Sequence, residues 1–382
     1  MLRKKLSISL LLVLGLSTTT FALEFAPLGA RAQGMGGAFV ATASDASAVY
    51  WNPAGLSAFP GWEAQVLTGV HGQDHMGMRD TFDEIDDIMN GQDLATVAAD
   101  PERRGSLSDL LRDVAAQDAG VDLNAAAGVL VKGHYGSHAF AISALPLVQG
   151  GGNIVVDTTH LDATLADNTS TVALSGIQGR QYGLSYGRAF FGKRVFVGTN
   201  LKLIDAYTYY DDLTLLDPDV GIKWSDLRRN AKHSQGFSTD LGLMVMPVRW
   251  CRLGVVGRDL NSPSFKSGRG GDITLRRQVR AGAALSPLSL FTVALDLDLT
   301  ENDSFTQGYK ERNLALGLEK GFLMDVLTLR AGGYKNLADS GSHYVATAGL
   351  GLRVFFACLD IGAGYDFHQR EALGSLSLAG RF

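Results

Sequence analysis

The chain has 382 residues, room for one large domain or two ordinary ones, with a net charge of −5 and 19% charged residues. Such a charge leaves no basic footprint and argues against nucleic acid as a partner. Glycine supplies 46 residues beside an ordinary hydrophobic content of 46%, a balance that suits a barrel with an apolar outside and a small, polar inside.

Residues 1–22 read as a cleaved secretory signal. Arg3, Lys4 and Lys5 precede an apolar core over 6–16, and Thr20-Phe21-Ala22 offers small residues where a signal peptidase cuts. An uncleaved anchor is the alternative. No later run of about 18 apolar residues exists to span a membrane as a helix. The exported chain is then periplasmic, secreted, or an outer-membrane barrel. Cys251 and Cys358 sit in separate strand-like segments, and spacing alone leaves open whether they pair.

Residues 23–62 are rich in Gly and Ala, short of charge and without a long apolar run, so they fold only with a surface packed against them. Residues 63–71 form the first strand-like run. An insertion over 72–122 follows with helical spacing: Phe82, Ile85, Ile88 and Met89, then Leu107, Leu110, Leu111 and Val114 behind Ser106 or Ser108 as possible caps. Its acidic run, Asp83, Glu84, Asp86 and Asp87, reads as a solvated face, with a cation site as the sharper alternative.

From residue 123 onward the period is two. In the clearest run, Phe291, Val293, Leu295, Leu297 and Leu299 oppose Thr292, Ala294, Asp296, Asp298 and Thr300. About fourteen such runs occur, an even number of near-bilayer length. Their expected spans include 123–133, 138–146, 180–190, 195–206 and 358–368. Connections alternate long and short, as they do when a barrel keeps short turns on the periplasmic side. The last run, Leu376, Leu378, Gly380 and Phe382 on one face, resembles the signal read by the barrel assembly machinery.

A cationic side chain facing lipid at mid-bilayer costs about 2–4 kcal/mol, whereas a lumen position is wet. The apolar sets therefore face outer-membrane lipid. Lys202, Asp240, Arg258, Arg280, Asp296, Asp298, Glu319, Arg330, Arg353, Asp360 and Asp366 are expected to face inward, with Arg–carboxylate pairs among them. These are either structural networks or a polar, substrate-contacting lining.

His71 with His75, and His134 with His138, lack the further ligands a zinc site needs. No nucleophile and base stand together, so the chain does not read as an enzyme. No metal or cofactor is expected. Gly34-Met35-Gly36-Gly37 lacks the third glycine of a dinucleotide fingerprint.

The run Gly34-Met35-Gly36-Gly37-Ala38-Phe39, followed by Tyr50-Trp51-Asn52-Pro53-Ala54-Gly55-Leu56, resembles the N-terminal signature of the FadL-like outer-membrane barrel superfamily. Phe237-Ser238-Thr239-Asp240-Leu241-Gly242-Leu243, Val279-Arg280-Ala281-Gly282, Leu316-Gly317-Leu318-Glu319 and Leu329-Arg330-Ala331-Gly332-Gly333-Tyr334 look most like its subfamily labelled conjugal transfer protein TraF. The label implies a link to conjugation. With no Cys-x-x-Cys in the chain, it implies no thioredoxin-like activity.

The alternation and loop lengths read as an all-β transmembrane antiparallel barrel over 63–382 with 72–122 as a helical extracellular insertion, and the resemblance implies residues 23–62 packed inside as a plug. It also implies passage or binding of small hydrophobic molecules under control of the plug. Gly34, Gly36 and Gly37 would allow close backbone approach to the wall, and Asn52-Pro53 would make a turn. A gating role for these five is the sharper reading. The rival function is a structural or conjugation-linked barrel that docks an envelope partner protein through the insertion.

Overall fold

The structure is a computed structural model that describes residues 28–382 apart from 76, 118–119, 218–228, 269–271, 307–308, 340 and 369–370. The expected signal peptide, 1–22, lies outside the described residues.

Alternating sequence becomes wall. The first half comprises β1 (Glu63–His75), β2 (Gly120–Tyr135), β3 (His138–Val155), β4 (Thr171–Phe190), β5 (Val195–Thr214), β6 (Lys232–Val248) and β7 (Cys251–Arg258). The second half comprises β8 (Gln278–Leu288), β9 (Phe291–Asp298), β10 (Asn313–Phe322), β11 (Leu327–Asn336), β12 (Tyr344–Val354), β13 (Ala357–Tyr365) and β14 (Ala372–Arg381). Each pairs antiparallel with its chain neighbours and β14 returns to β1, so these fourteen strands close into a barrel with no edge left to aggregate. Leu295 is 46% exposed outward, while Asp296 and Asp298 are each 1% exposed. Cys251 in β7 and Cys358 in β13 are unpaired.

The bore is filled by residues 28–58. Helix α1 (Ala30–Gly34), helix α2 (Ala48–Trp51) and a 3-10 turn (Pro53–Ser57) are too short to stand alone and are held by the wall. Phe39, Trp51, Met35 and Leu56 are at most 1% exposed and form one cluster with Leu67, Leu130 and Leu145 of the wall. Small residues make this fit possible. A Cβ on Gly34 would lie 2.8 Å from the Gly349 Cα, and one on Gly36 would lie 2.5 Å from the Gly333 backbone nitrogen. Gly36 also has φ 65°, a conformation that favours glycine.

The first five strands run further than the alternation foretold. β4 and β5 each have 20 residues, and the expected loop over 147–179 shrinks to 156–170. The extra residues lie at the long-loop end, where 149–154 are buried without interruption. Period two is lost where both faces of a strand are covered, and here the covering is helical. Helices α3 (Met78–Met89), α4 (Leu94–Ala99) and α5 (Pro101–Gln117) pack Ile85, Leu107 and Leu111 against Ile154 and Val172.

Two local expectations fail. Ser106 and Ser108 do not cap a helix, because α5 starts at Pro101, whose missing N–H suits the first turn. Asp100 Oδ1 accepts from the Glu102 N–H at 3.0 Å there, and Ser108 Oγ instead accepts from the Asp162 N–H at 2.9 Å. The run expected over 358–368 ends at Tyr365, where the chain turns through Asp366.

Wall pairing lapses on both sides of the β1–β2 pair at one height. Between β1 and β14 the ladder stops at Leu67 and resumes at Val70; between β2 and β3 it stops at Ala126 and resumes at Val129. Thr68 and Ala127 are themselves register partners, so the two lapses are level. Pro146 has no N–H to offer β2. Thr68 Oγ1 bridges the other lapse, accepting from the Leu376 N–H at 3.2 Å.

Leu350 lies mid-strand on the outer face and is 45% exposed. Leu350→Arg is expected to cost about 2–4 kcal/mol of folding stability in a bilayer, measured by denaturant titration in vesicles. No loss would contradict the outward assignment of that face.

Candidate functional site

The interior segment meets the wall through a few polar anchors set in an apolar contact. Arg31 of α1 forks onto Glu319 of β10, Nε to Oε2 at 2.8 Å and Nη2 to Oε1 at 2.9 Å. Glu319 also accepts Nε of Arg330 at 2.7 Å, and Arg330 Nη1 reaches Asp360 Oδ1 at 2.6 Å. Arg31 Nη1 donates to Ser44 Oγ at 3.0 Å and contacts Asp45 at 3.3 Å. Burial opposes the charge on Arg31, but Glu319 and Asp45 outweigh it and hold the guanidinium above its ordinary pKa. Burial likewise pushes the Asp45 carboxyl upward, and Arg31 reverses this and keeps it below the carboxylate range.

A second anchor is a single carboxylate. Asp296 Oδ2 accepts the backbone N–H groups of Phe39 at 2.7 Å and Val40 at 2.8 Å, two donors that no helix satisfies. Its neighbour Asp298 takes Arg280, with Nη2 to Oδ2 at 2.8 Å, and the Arg280 guanidinium lies 6.0 Å from the Trp51 ring centroid. A third cluster joins Lys202 to Asp240 and Asp259, each at 2.7 Å, while Arg258 sits 4.1 Å over the Tyr50 ring. Asn52 ties the turn: Nδ2 donates to Val40 O at 3.0 Å and Leu243 O at 3.3 Å, and Oδ1 accepts from the Ala54 N–H. Pro53 passes so close to Gly198 that a Cβ there would overlap it.

The wall charges thus fall into three groups. Lys202, Asp240, Arg258, Arg280, Asp296, Asp298, Glu319, Arg330 and Asp360 point into the bore. Arg353 pairs with Asp325 of the β10–β11 turn and is 42% exposed at the short-turn mouth. Asp366 is buried in the β13–β14 loop, where Oδ1 accepts from the His368 N–H at 2.8 Å. The histidines are engaged separately: His71 with Glu371 at 2.7 Å, His75 with Asp122 at 2.8 Å, and His138 with Tyr186 at 2.7 Å. Among the described residues no group of three or more His, Cys, Asp or Glu is placed to hold a metal ion.

Reasoning on the sequence missed Arg31, Ser44, Asp45 and Lys132. The available signal was Arg31 itself, the one charge between Gly29 and Ala43. Lys132 Nζ donates to Ser44 O at 2.7 Å rather than to Glu63 directly opposite it in the ladder. Below these contacts, at the short-turn mouth, a cavity of about 470 Å³ is lined by Arg31, Lys132, Glu319, Arg330 and Arg381 with Trp62 at its edge.

A family model described as F plasmid transfer operon, TraF, protein matches residues 49–298, well over half of the chain. The chain belongs to this family. No curated protein matches it. The Ralstonia pickettii toluene transporter TbuX is 12% identical with a TM-score of 0.59, over 94% of this chain and 99% of that one. The CymD monoaromatic hydrocarbon channel is 13% identical, TM-score 0.56, over 94% and 99%. The Pseudomonas putida toluene transporter TodX is 12% identical, TM-score 0.54, over 95% and 99%. At these identities the likeness is one of fold: this TraF-family chain shares its closed barrel with those channels.

Glu319→Gln leaves Arg31 and Arg330 sharing too little negative charge in a buried place. It is expected to cost about 3–5 kcal/mol, read as a fall in the unfolding midpoint. In the Arg31→Met, Glu319→Gln double variant the loss should be smaller than the sum of the single losses.

Proposed function

We propose that this protein is an outer-membrane channel for small hydrophobic compounds and that residues 28–58 are its gate. The observation that carries the reading is the contrast within the bore. The segment fills it with apolar Phe39, Trp51 and Leu56 and is fastened at discrete polar anchors, among them Glu319, Asp296 and Ser377, whose Oγ accepts from the Ala30 N–H at 3.0 Å. Apolar contact is non-directional and can re-form against an apolar solute, whereas the anchors define one seated position. The fold shared with the toluene and monoaromatic hydrocarbon transporters supports this substrate class.

The interior charges also constrain the route. The cavity at the short-turn mouth, which we assign to the periplasmic side, is lined by buried cations and carboxylates and is a poor path for a hydrocarbon. The wall lapses beside β1 and β2 border the apolar cluster through Leu67 and Leu145, so an apolar solute released by the segment meets lipid there without crossing charge.

A second reading is a barrel that docks a partner protein through α3 to α5, favoured by the family description and the exposed acidic residues Glu84 and Asp87. Deletion of 78–117 separates the two: hydrocarbon uptake persists in the channel reading, and only partner capture is lost in the docking reading.

The gate is tested by locking it. Ala30→Cys with Ser377→Cys, in a background of Cys251→Ser and Cys358→Ser, allows a reversible bridge between segment and wall. Toluene uptake into liposomes is expected to fall at least about tenfold on oxidation and to recover on reduction. Equal uptake in both states would overturn the gating role.

A further inference from the structure

The short turns are unlike polar periplasmic loops. Each carries an exposed large apolar side chain: Tyr135 at the end of β2, Phe191 between β4 and β5, Trp250 between β6 and β7, Leu290 between β8 and β9, Met324 between β10 and β11, and Phe355 between β12 and β13. Met324 is 94% exposed, Phe355 95% and Phe191 79%. Solvent exposure is only half of the anomaly. Phe191, Leu290, Leu323, Met324 and Phe355 all have φ between 50° and 58°. That left-handed conformation is unfavourable for a bulky side chain, and Gly or Asn would relieve it. A sequence that keeps Phe, Leu and Met at strained, exposed turn tips gains something from covering them.

We propose that these tips are seated in the periplasmic leaflet of the outer membrane, its phospholipid being the partner that covers them. The orientation rests on the channel reading above, but the seating itself does not require transport. Two features select lipid over a protein. First, the apolar surface is continuous with the lipid-facing wall. Outward Val354, Leu352 and Leu350 lead from Phe355 up β12, with no polar belt between. Counted from the tips, β12 spans 11 residues to the exposed Tyr344. A tilted strand of that length covers roughly one 25 Å apolar band. The band is therefore used up at the tips, and none of the turn projects beyond it.

Second, the charge fits. Lys193, Arg194 and Arg249 are exposed in the same turns, beside Phe191 and Trp250. Cations interleaved with aromatic rings suit a layer in which hydrocarbon gives way to anionic phosphate. The arrangement also sets the level of the charged cavity. Its mouth opens among headgroups, with Trp62 and Phe382 at the rim.

Spin labels test the seating. Met324→Cys and Phe355→Cys are placed singly in the Cys251→Ser, Cys358→Ser background, with Glu84→Cys in α3 as a water-exposed reference. The full chain is reconstituted in phosphatidylethanolamine–phosphatidylglycerol vesicles. Labels at 324 and 355 are expected to collide with dissolved oxygen in preference to an aqueous nickel chelate, by a ratio at least about tenfold above that at 84. Nickel access equal to that at 84 would overturn the proposal, and so would shielding from both reagents, the mark of a protein contact. Phe191→Asn, Met324→Asn and Phe355→Asn together relieve the backbone while removing the apolar tips. The variant should fold in detergent as the parent does but insert into bilayers at least about tenfold less favourably. Unchanged insertion would count against the seating. Hydrocarbon uptake is not read in either experiment, so failure here leaves the channel reading standing.

Discussion

A charge buried inside a closed, filled barrel must be answered by another charge or by a backbone dipole. That constraint organises this molecule. Glu319 and Asp296 stand on the inner wall in positions where an unanswered carboxylate would be costly. Each is answered partly by the interior segment, Glu319 by the Arg31 fork and Asp296 by the Phe39 and Val40 N–H groups. The segment needs the wall for the same reason. Its helices are one turn long, and the N–H groups of Ala30, Phe39 and Val40 find their acceptors on the strands. Wall and segment therefore complete each other, and neither set of charges makes sense alone.

Around the anchors lies a contact made of small residues. Gly34 against Gly349 and Gly36 against Gly333 bring backbone to backbone, leaving the large side chains Phe39 and Trp51 to fill what remains. A segment held this way has directional bonds at its anchors and apolar contact between them. The directional bonds fix where it sits, and the apolar contact is non-directional.

Much of this was legible in the residues. Leu295 and Leu297 alternating with Asp296 and Asp298 gave both the strand and its orientation, because no other arrangement keeps the carboxylates out of lipid. The same alternation was blind where a strand is covered on both faces, so the glycine-rich continuation of β3 read as loop. It was also blind to pairing. Nothing in the spacing tells that Glu319 answers Arg31, 288 positions away. Arg353 and Asp366 show the limit from the other side. Their polar alternation was right, but a strand end turns a lumen position into a mouth or a loop position. The insertion shows the same division: its helices followed from periodicity, while the choice of cap depended on Pro101 and Asp100 rather than on the serines inside.

Hydrogen exchange of the backbone around Phe39 and Val40 measures the seated segment most directly. With the segment latched inside the bore, these amides exchange as slowly as those of β9, and Asp296→Asn accelerates them while β9 stays protected. Free exchange of residues 38–41 in the unaltered protein, at the rate of an exposed tail, would contradict the interior placement and everything built on it.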